Sequence, residues 1–231
     1  MSATSRPLRV SVIIPALNEA DTVTGLLDDL APLRLQGHEI ILVDGGSEDR
    51  TTETAAPKVD HVLHSIRGRA AQMNAGAERA NGDILWFLHA DTRIPPVAAE
   101  QLLQACRNGQ LWGWFDISLS GSKWLLRIVE RLMNLRSRAT GLATGDQGIF
   151  VERRTFYIVS GFPQIPLMED IAMSKSLRRR SAPACIRRPR LQTSSRRWEH
   201  KGIVRTIVLM WRLRLDYALG AEPRDLAKRY R

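Results

Sequence analysis

One apolar stretch of the sequence ends in two side chains that can bind a cation. LWFLHADTRIP, residues 85–95, begins with uninterrupted apolar residues and then presents His89 and Asp91. Imidazole and carboxylate groups are both ligands of divalent metal ions. The stretch is therefore typical either of a cation site at the mouth of a sheet or of an ordinary strand that ends in polar residues.

The elements that must position these side chains alternate between strand and helix patterns over the first hundred residues. RVSVIIPA, HEIILVD, HVLHS and GDILWFLHAD have the pattern of short buried strands, and NEADTVTGLLDDL carries apolar residues at helical spacing. The alternation predicts βαβ units, and hence a three-layer α/β/α fold with a mainly parallel central sheet. Ligands of such sheets bind outside the carboxyl ends of the strands, so Asp44 should converge there with His89 and Asp91.

Length and composition indicate a folded chain of one domain, residues 1–231. The hydrophobic content of 44% and the charged content of 25% are ordinary for a globular protein. Cys106 and Cys185 are too few and too far apart for a disulfide framework or a zinc motif, which favours a reducing, cytoplasmic location. Neither a signal peptide nor an apolar run long enough to span a bilayer is evident, but contact with the inner face of a membrane stays open.

The charge is strongly basic and unevenly distributed. The formal net charge is +10, and basic residues concentrate after Lys175, which suits phosphates, anionic lipid or nucleic acid, although a solvated basic face explains any single run. Residues 203–219 have a broad apolar side. This pattern is typical of a helix that packs on the domain or of one that lies in a membrane interface.

Two common nucleotide-binding motifs are absent. PALNEAD, the first turn after a strand, has neither GxGxxG nor GxxxxGK[ST], which disfavours a dinucleotide-binding domain and a P-loop NTPase. If a nucleotide phosphate binds, a divalent cation is the simplest group to neutralise it. A nucleotidyltransferase and a basic nucleic-acid-binding module are the alternatives, but the second leaves the acidic stretches unexplained and no nucleic acid is expected.

Five ordered stretches together carry a family resemblance: SVIIPALNEADTV, ILVDGGSEDRT, RGRAAQMNAGAERANGDILWFLHADT, TGDQGIFVER and GFPQIPLMEDIAMSKSLRR. They resemble glycosyltransferase family 2, the nucleotide-sugar transferases of the GT-A fold, and within it the small bacterial arsenosugar-biosynthesis-like enzymes. The resemblance implies transfer of a sugar from a UDP- or GDP-linked donor to an acceptor hydroxyl, with inversion. It implies a donor-binding half over residues 9–95, an acceptor-binding half over 96–200, and an amphipathic helix and tail over 202–231.

For the donor, the resemblance aligns His89–Asp91 with the DXD motif of the family. Asp91 matches the metal-binding carboxylate, and His89 replaces the first acid, so His89 is expected to contact the ribose or to lie behind the metal. The implied cofactor is Mn²⁺ or Mg²⁺, with His200 as a further candidate ligand. The other residues implied at the donor site are Pro15, Ala16, Asn18, Glu19, Asp44, Arg67, Arg69, Gln72 and Ala90.

For the acceptor, PLMED matches the acidic motif of the family. The match implies that Asp170 is the general base, with Glu169 as the alternative or a supporting partner, and apolar neighbours should raise the pKa of such a carboxylate. Two acids at a helix start are also explained by the helix dipole alone. GDQG resembles the acceptor side, which implicates Asp146 and Gln147.

The basic end of the chain and the acceptor are less defined. RRWEHKG resembles the late segment that closes over the diphosphate, which adds Arg196, Arg197 and Trp198 as candidate contacts. A lipid-linked acceptor and a soluble one fit the sequence equally well.

Overall fold

A seven-stranded sheet runs through the computed structural model, which describes residues 7–230 except for the side chains of Arg197, His200 and Lys201. Its order is β3-β2-β1-β4-β6-β5-β7. All paired strands are parallel except β6, which runs antiparallel to β4 and β5. The predicted mainly parallel sheet is confirmed. The strands are β1 Val10–Ala16, β2 Glu39–Asp44, β3 His61–His64, β4 Ile84–Phe87, β5 Trp112–Leu119, β6 Phe150–Glu152 and β7 Ala184–Thr193.

Helices connect these strands and cover the sheet. Two 3₁₀ turns, Ala56–Lys58 and Gly145–Gln147, complete the regular structure of the described residues. The helices are α1 Ala20–Leu35, α2 Thr51–Ala55, α3 Arg69–Arg79, α4 Ala98–Arg107, α5 Trp124–Thr140, α6 Arg153–Ile158, α7 Glu169–Arg178, α8 Arg196–Lys201, α9 Ile203–Ala218 and α10 Pro223–Tyr230.

The core lies in two layers, one on each face of the sheet. Val12 and Ile14 of β1 pack in one layer with residues of α1, α4 and α5, whereas Ile13 packs in the other with residues of α3 and α7. Every residue of β1 and β2 is buried. Burial on both faces explains why these strands are almost continuously apolar in sequence.

Strand β7 was not predicted, because its arginines hide the strand pattern. The stretch was interpreted only as positive surface, but Ile186 and Leu191 are buried while Arg187, Arg188 and Arg190 are exposed. β7 is the last strand of the sheet order. Charged side chains on an edge strand oppose pairing with another chain.

The predicted halves of the chain share this sheet. β1 to β4 belong to residues 9–95 and β5 to β7 to residues 96–200, and the two sets join where β4 pairs with β6. The boundary near residue 95 stays a prediction.

Helix α3 packs closely on the sheet at Gly76. A Cβ at this position would lie 2.4 Å from Cγ2 of Ile13 and 3.0 Å from Cγ2 of Val43. Alanine has a helix propensity about 1 kcal/mol more favourable than glycine, so propensity does not explain the residue. The close approach to β1 and β2 does.

Replacing Gly76 with alanine is expected to lower the free energy of unfolding by about 1–3 kcal/mol, because overpacking exceeds the gain in helix propensity. Urea unfolding followed by circular dichroism measures the change. In an Ile13→Ala background, where the closest contact, Cγ2 of Ile13, is gone, the cost of G76A should shrink. An equal cost in both backgrounds would contradict close packing as the cause.

Candidate active site

A cleft of about 670 Å³ opens beside the carboxyl end of β4. Its polar wall comes from the segment after β4, the start of α3, the turn at residues 145–147 and the start of α7. Its apolar wall comes from α5 and α9. The cleft is therefore polar at the sheet and apolar between the helices.

The loops after β1 and β2 are joined by hydrogen bonds. The amide of Asn18 donates to Oγ of Ser47 at 2.9 Å, and the amide of Glu48 donates to Oδ1 of Asn18 at 2.8 Å. Asn18 has a φ of 55°, a left-handed conformation that asparagine tolerates better than most residues. The two loops therefore form one surface outside the strand ends.

Asp44 stabilises the loop that follows β2. Its carboxylate accepts hydrogen bonds from the amides of Gly46 and Ser47 and from the Ser47 hydroxyl. Burial opposes its charge, but these hydrogen bonds and the nearby His64 outweigh burial and lower the pKa of Asp44. Asp44 does not line the cleft, so its predicted convergence with His89 and Asp91 does not extend to one cavity. Its contact with a nucleoside stays a prediction.

Gln72, which was expected at the donor site, also has a structural role. The side chain is buried, and its Nε2 donates to the backbone carbonyls of Ala16 at 2.7 Å and Val43 at 2.8 Å. Its amide therefore joins the ends of β1 and β2. This role could not be predicted from sequence, because the carbonyls lie 56 and 29 residues away, and a contact of Gln72 with the donor stays a prediction.

Arg196 links two acidic residues that come from different strand ends. Its Nη2 lies 3.2 Å from Oε2 of Glu19 and 3.5 Å from Oδ2 of Asp91. Glu19 follows β1 and Asp91 follows β4, so the sheet places both carboxylates on one guanidinium. Burial opposes the charge on Arg196, but the two acids outweigh burial and raise its pKa.

The carboxylates near Arg196 suit a hard divalent cation whose coordination a bound substrate completes. Within the described part of the chain, no group of three or more His, Cys, Asp and Glu side chains is placed to hold a metal ion. Mg²⁺ commonly takes only one or two carboxylates and completes its shell with phosphate and water. Asp91 and Glu19, already gathered on a cationic group, fit that requirement. The side chain of His200, the other candidate ligand, is not among those that the structure describes.

His89 packs against the turn at Gly145. A Cβ on Gly145 would lie 2.7 Å from Nε2 of His89, so only glycine leaves room for the ring. Burial, followed by the charge of Arg69, lowers the pKa of His89 to about 3. His89 is therefore neutral at physiological pH, and it lines the cleft beside Asp91.

Glu169 and Asp170 begin α7 and line the cleft together. Oδ2 of Asp170 accepts the amide hydrogen of Gly145 at 2.8 Å, which ties α7 to the turn beneath His89. Burial raises the pKa of Asp170, as its apolar neighbours predict. Burial and then the charge of Asp170 raise the pKa of Glu169 to about 7, against the opposing charge of Arg69. The pair thus holds its protons more tightly than ordinary carboxylates.

Two arginines face these acids, and only one was expected. Burial opposes the charge of Arg69, but Tyr230 and the carboxylates of Glu169, Asp170 and Asp146 outweigh burial and raise its pKa. Arg136 of α5 was missed. Burial lowers its pKa despite the acids near it. A sequence signal existed, because Arg136 continues the face of Val129 and Met133 on an otherwise apolar side of the helix.

The two predicted acceptor residues share the turn at residues 145–147 but have different surroundings. Asp146 lines the cleft, and its Oδ1 is buried without a hydrogen-bond partner. Gln147 is fully buried, and its Oε1 accepts hydrogen bonds from Ser137 and Thr144. Gln147 therefore holds the turn in place, and its contact with an acceptor stays a prediction.

The remaining predicted donor residues lie around the edge of the sheet. Pro15, Ala16 and Ala90 are buried and offer mainly backbone, whereas Arg67 is exposed in the loop before α3. Of the predicted site residues, the cleft itself brings together Arg69, His89, Asp91, Asp146, Glu169, Asp170 and Trp198.

A family model described as "Glycosyl transferase family 2" matches residues 11–156, which is more than half of the chain. The chain belongs to glycosyl transferase family 2. The match includes the strand-end loops, His89, Asp91 and the turn at Gly145, but ends before Glu169. The resemblance to the arsenosugar-biosynthesis-like enzymes stays a prediction.

A relative with a named function supports the family. The undecaprenyl-phosphate 4-deoxy-4-formamido-L-arabinose transferase of Yersinia pestis is 30% identical over 164 residues, which cover 65% of this chain and 50% of the relative. The chain thus spans about half the length of the curated relatives it matches.

Solved structures of low sequence identity share the fold. TarS of S. aureus in complex with UDP-GlcNAc has a TM-score of 0.67 and 16% identity, covering 81% of this chain and 58% of TarS. A mannosyltransferase of Pyrobaculum calidifontis in complex with GDP-Man and Mn²⁺ has a TM-score of 0.60 and 21% identity, covering 82% of this chain and 57% of that protein. The expected GT-A fold is confirmed.

The apolar wall of the cleft does not come from a membrane-spanning helix. None of the helices within residues 7–230 combines the length and the apolar character that crossing a bilayer requires.

Glu169→Gln is expected to raise the free energy of unfolding above pH 7 by on the order of 3 kcal/mol. The pKa of Glu169 is raised from 4.5 to about 7, so ionisation destabilises the folded state progressively as the pH rises through that range. Below about pH 4.5 the glutamate is protonated in both states, and wild type and variant should differ little. Urea unfolding between pH 4 and 9 measures the difference.

The matched control is Glu53→Gln, which removes an exposed carboxylate in an i,i+3 pair with Arg50. Exposed pairs contribute little to stability, so this variant should follow wild type at every pH. A difference between E169Q and wild type that does not change with pH would contradict the raised pKa.

Proposed function

We propose that the protein transfers a sugar from a nucleoside-diphosphate sugar to an acceptor hydroxyl, with a divalent cation and with inversion at the anomeric carbon. The observation that carries the proposal is the arrangement of one cleft. A pair of acids with raised pKa values at the start of α7 shares it with Asp91, which Arg196 joins to Glu19. The pair supplies a base, and the Glu19–Arg196–Asp91 cluster supplies a place for a diphosphate.

The donor is expected at the carboxyl edge of the sheet. The joined loops after β1 and β2 offer a surface for the nucleoside, and Asp91 lies where the diphosphate must approach the cleft. TarS binds UDP-GlcNAc and the Pyrobaculum enzyme binds GDP-Man, which supports a donor of this class for the present chain. The identity of its nucleobase and sugar is left open.

The Mn²⁺ of the Pyrobaculum complex supports a divalent cation for this chain, which Asp91 would hold. When bound, it supplies charge neutralisation for the leaving diphosphate. Glu19 is the second carboxylate within reach of the same guanidinium, and Arg196 provides a further positive charge on that side of the cleft. Neutral His89 is expected to contact the ribose or to orient the turn rather than to contribute charge.

Asp170 is the proposed general base. It takes the proton of the acceptor hydroxyl while the hydroxyl oxygen bonds to the anomeric carbon, and the diphosphate leaves with the electron pair of the broken bond. The hydrogen bond from Gly145 fixes its direction, and a raised pKa brings a carboxylate nearer to the proton affinity that this step needs. Glu169 shares the titration and sets how much of the pair is ionised.

A thermal-shift screen of UDP-, GDP- and dTDP-sugars, each with and without Mn²⁺, tests the donor and the cation together. One nucleotide sugar should raise the melting temperature, and Mn²⁺ should enlarge the shift because cation and diphosphate bind as a unit. Asp91→Asn should bind the same donor without the added effect of Mn²⁺. An unchanged Mn²⁺ dependence in D91N would reject Asp91 as a ligand.

Asp170→Asn is expected to reduce the rate of transfer by about 10²–10⁴-fold, because general base catalysis contributes a factor of this size. The variant should retain the thermal shift with the donor, since Asp170 does not hold the nucleotide in this scheme. Product formation is measured with a radiolabelled donor. Loss of donor binding together with activity would assign Asp170 a structural role.

A further inference from the structure

Helices α5 and α9 both expose a row of apolar side chains. On α9, Val204, Val208, Trp211 and Leu215 repeat at helical spacing and are between 51% and 66% exposed. On α5, Trp124, Ile128, Leu132 and Leu135 do the same and are between 41% and 68% exposed. Isolated apolar residues at a surface are common, but two rows on neighbouring helices form an apolar patch of the kind that marks an interaction site.

The two rows border the mouth of the cleft. α5 and α9 pack against each other, and both line the cleft with their inner faces. Leu132, Leu135 and Trp211 are exposed and also line the cleft, so its apolar end opens between the rows. We call the surface formed by the eight residues of the two rows the α5–α9 face.

Arginines flank the α5–α9 face. Arg131 lies beside the α5 row, and Arg205 and Arg212 lie beside the α9 row; all three are exposed. None of the three forms an ion pair with another described residue, whereas Arg127 and Arg138, on the same side of α5 as Arg131, pair with Glu130 and Asp116. Unpaired arginines beside exposed apolar side chains suit a binding partner that has an apolar interior and an anionic surface.

We propose that the α5–α9 face docks onto the surface of an anionic phospholipid bilayer, with the mouth of the cleft against the lipid. The apolar rows enter the boundary between headgroups and acyl chains, and the arginines extend to the lipid phosphates. The net charge of +10 favours such a surface at longer range.

A second copy of the chain is a less suitable occupant of the face. A twofold interface places the same patch of each subunit against the other, so Arg131, Arg205 and Arg212 would share the interface with the same three arginines of the other subunit. Like charges opposed across an interface are unfavourable, and no acidic residue belongs to either row. An anionic bilayer satisfies the charge of the arginines and the apolar rows together.

Docking in this way specifies the acceptor class, a step that rests on the proposed function. An acceptor carried by a lipid would enter the cleft from its apolar end, with its tail between α5 and α9 and its polar head towards Asp170 and Arg136. The curated Yersinia relative is named for transfer involving undecaprenyl phosphate, a lipid of this chemical class.

Vesicle flotation of the full-length protein tests the docking. Vesicles of phosphatidylcholine are compared with vesicles in which about a quarter of the lipid is phosphatidylglycerol. Wild type should float with the anionic vesicles and much less with the neutral ones. Val208→Glu with Leu215→Glu should weaken binding at least about tenfold, because two carboxylates then face the lipid phosphates. Neither residue lines the cleft.

The matched control is Leu35→Glu with Ile158→Glu, which adds the same two charges at exposed apolar positions of α1 and α6. This variant should float like wild type. Equal loss in both double variants would show only a change in net charge and would overturn the proposal. Equal flotation of wild type and V208E/L215E would also overturn it.

Two further measurements separate this proposal from its alternatives. If size-exclusion chromatography with light scattering shows a dimer that V208E/L215E converts to a monomer, while neither floats, the face is an interface between copies and the proposal is wrong. The donor-induced thermal shift should be the same in V208E/L215E and wild type. A donor shift without vesicle binding would reject the docking and leave the proposed function standing, and vesicle binding without any donor shift would do the reverse.

Discussion

The arrangement of the cleft depends on keeping two adjacent carboxylates, Glu169 and Asp170, in a partly desolvated place. Burial of charge at this position is unfavourable, which is why both pKa values are raised. Three features offset part of the cost: the amide of Gly145, the charge of Arg69, and the amino end of α7, whose dipole favours negative charge. The turn that supplies the Gly145 amide also lies against His89. The surroundings of the two acids must therefore offset the cost of burying their charge.

How far the structure could be predicted from sequence depended on the range of the interactions involved. β1, β2 and α1 were predictable because their apolar periodicity is local and their burial is simple. Asp91 and Asp170 were placed through a family resemblance, and the cleft does contain both. Gln72 and Gln147 were assigned to ligands, whereas the structure shows them holding distant backbone and a turn. A glutamine that holds distant backbone or a turn has the same local sequence as one that contacts a substrate.

Strand β7 and the role of Arg136 were not predicted, because the type of side chain obscured the local pattern. β7 has buried residues at Ile186 and Leu191, but its exposed arginines dominate the composition of the stretch. Arg136 was not identified because its charged side chain lies on an otherwise apolar face of α5. For β7 and for Arg136, the role follows from the position in the fold, and the type of side chain does not indicate it. The match to glycosyl transferase family 2 also ends at residue 156, before α7, so the acids of α7 rest on the resemblance of PLMED and on the geometry of the cleft.

The guanidinium that joins Glu19 to Asp91 connects the two ends of the cleft through the chain itself. Arg196 is the first residue of α8, and α8 leads within a few residues into α9, the helix that forms part of the apolar wall. A ligand that competes for either carboxylate would weaken the ion pairs that hold Arg196 at the start of α8. By thermodynamic reciprocity, an effect of that ligand on the position of α8 and α9 would be matched by an equal effect of their position on its affinity. One short helix thus links two surfaces of different chemistry along the chain.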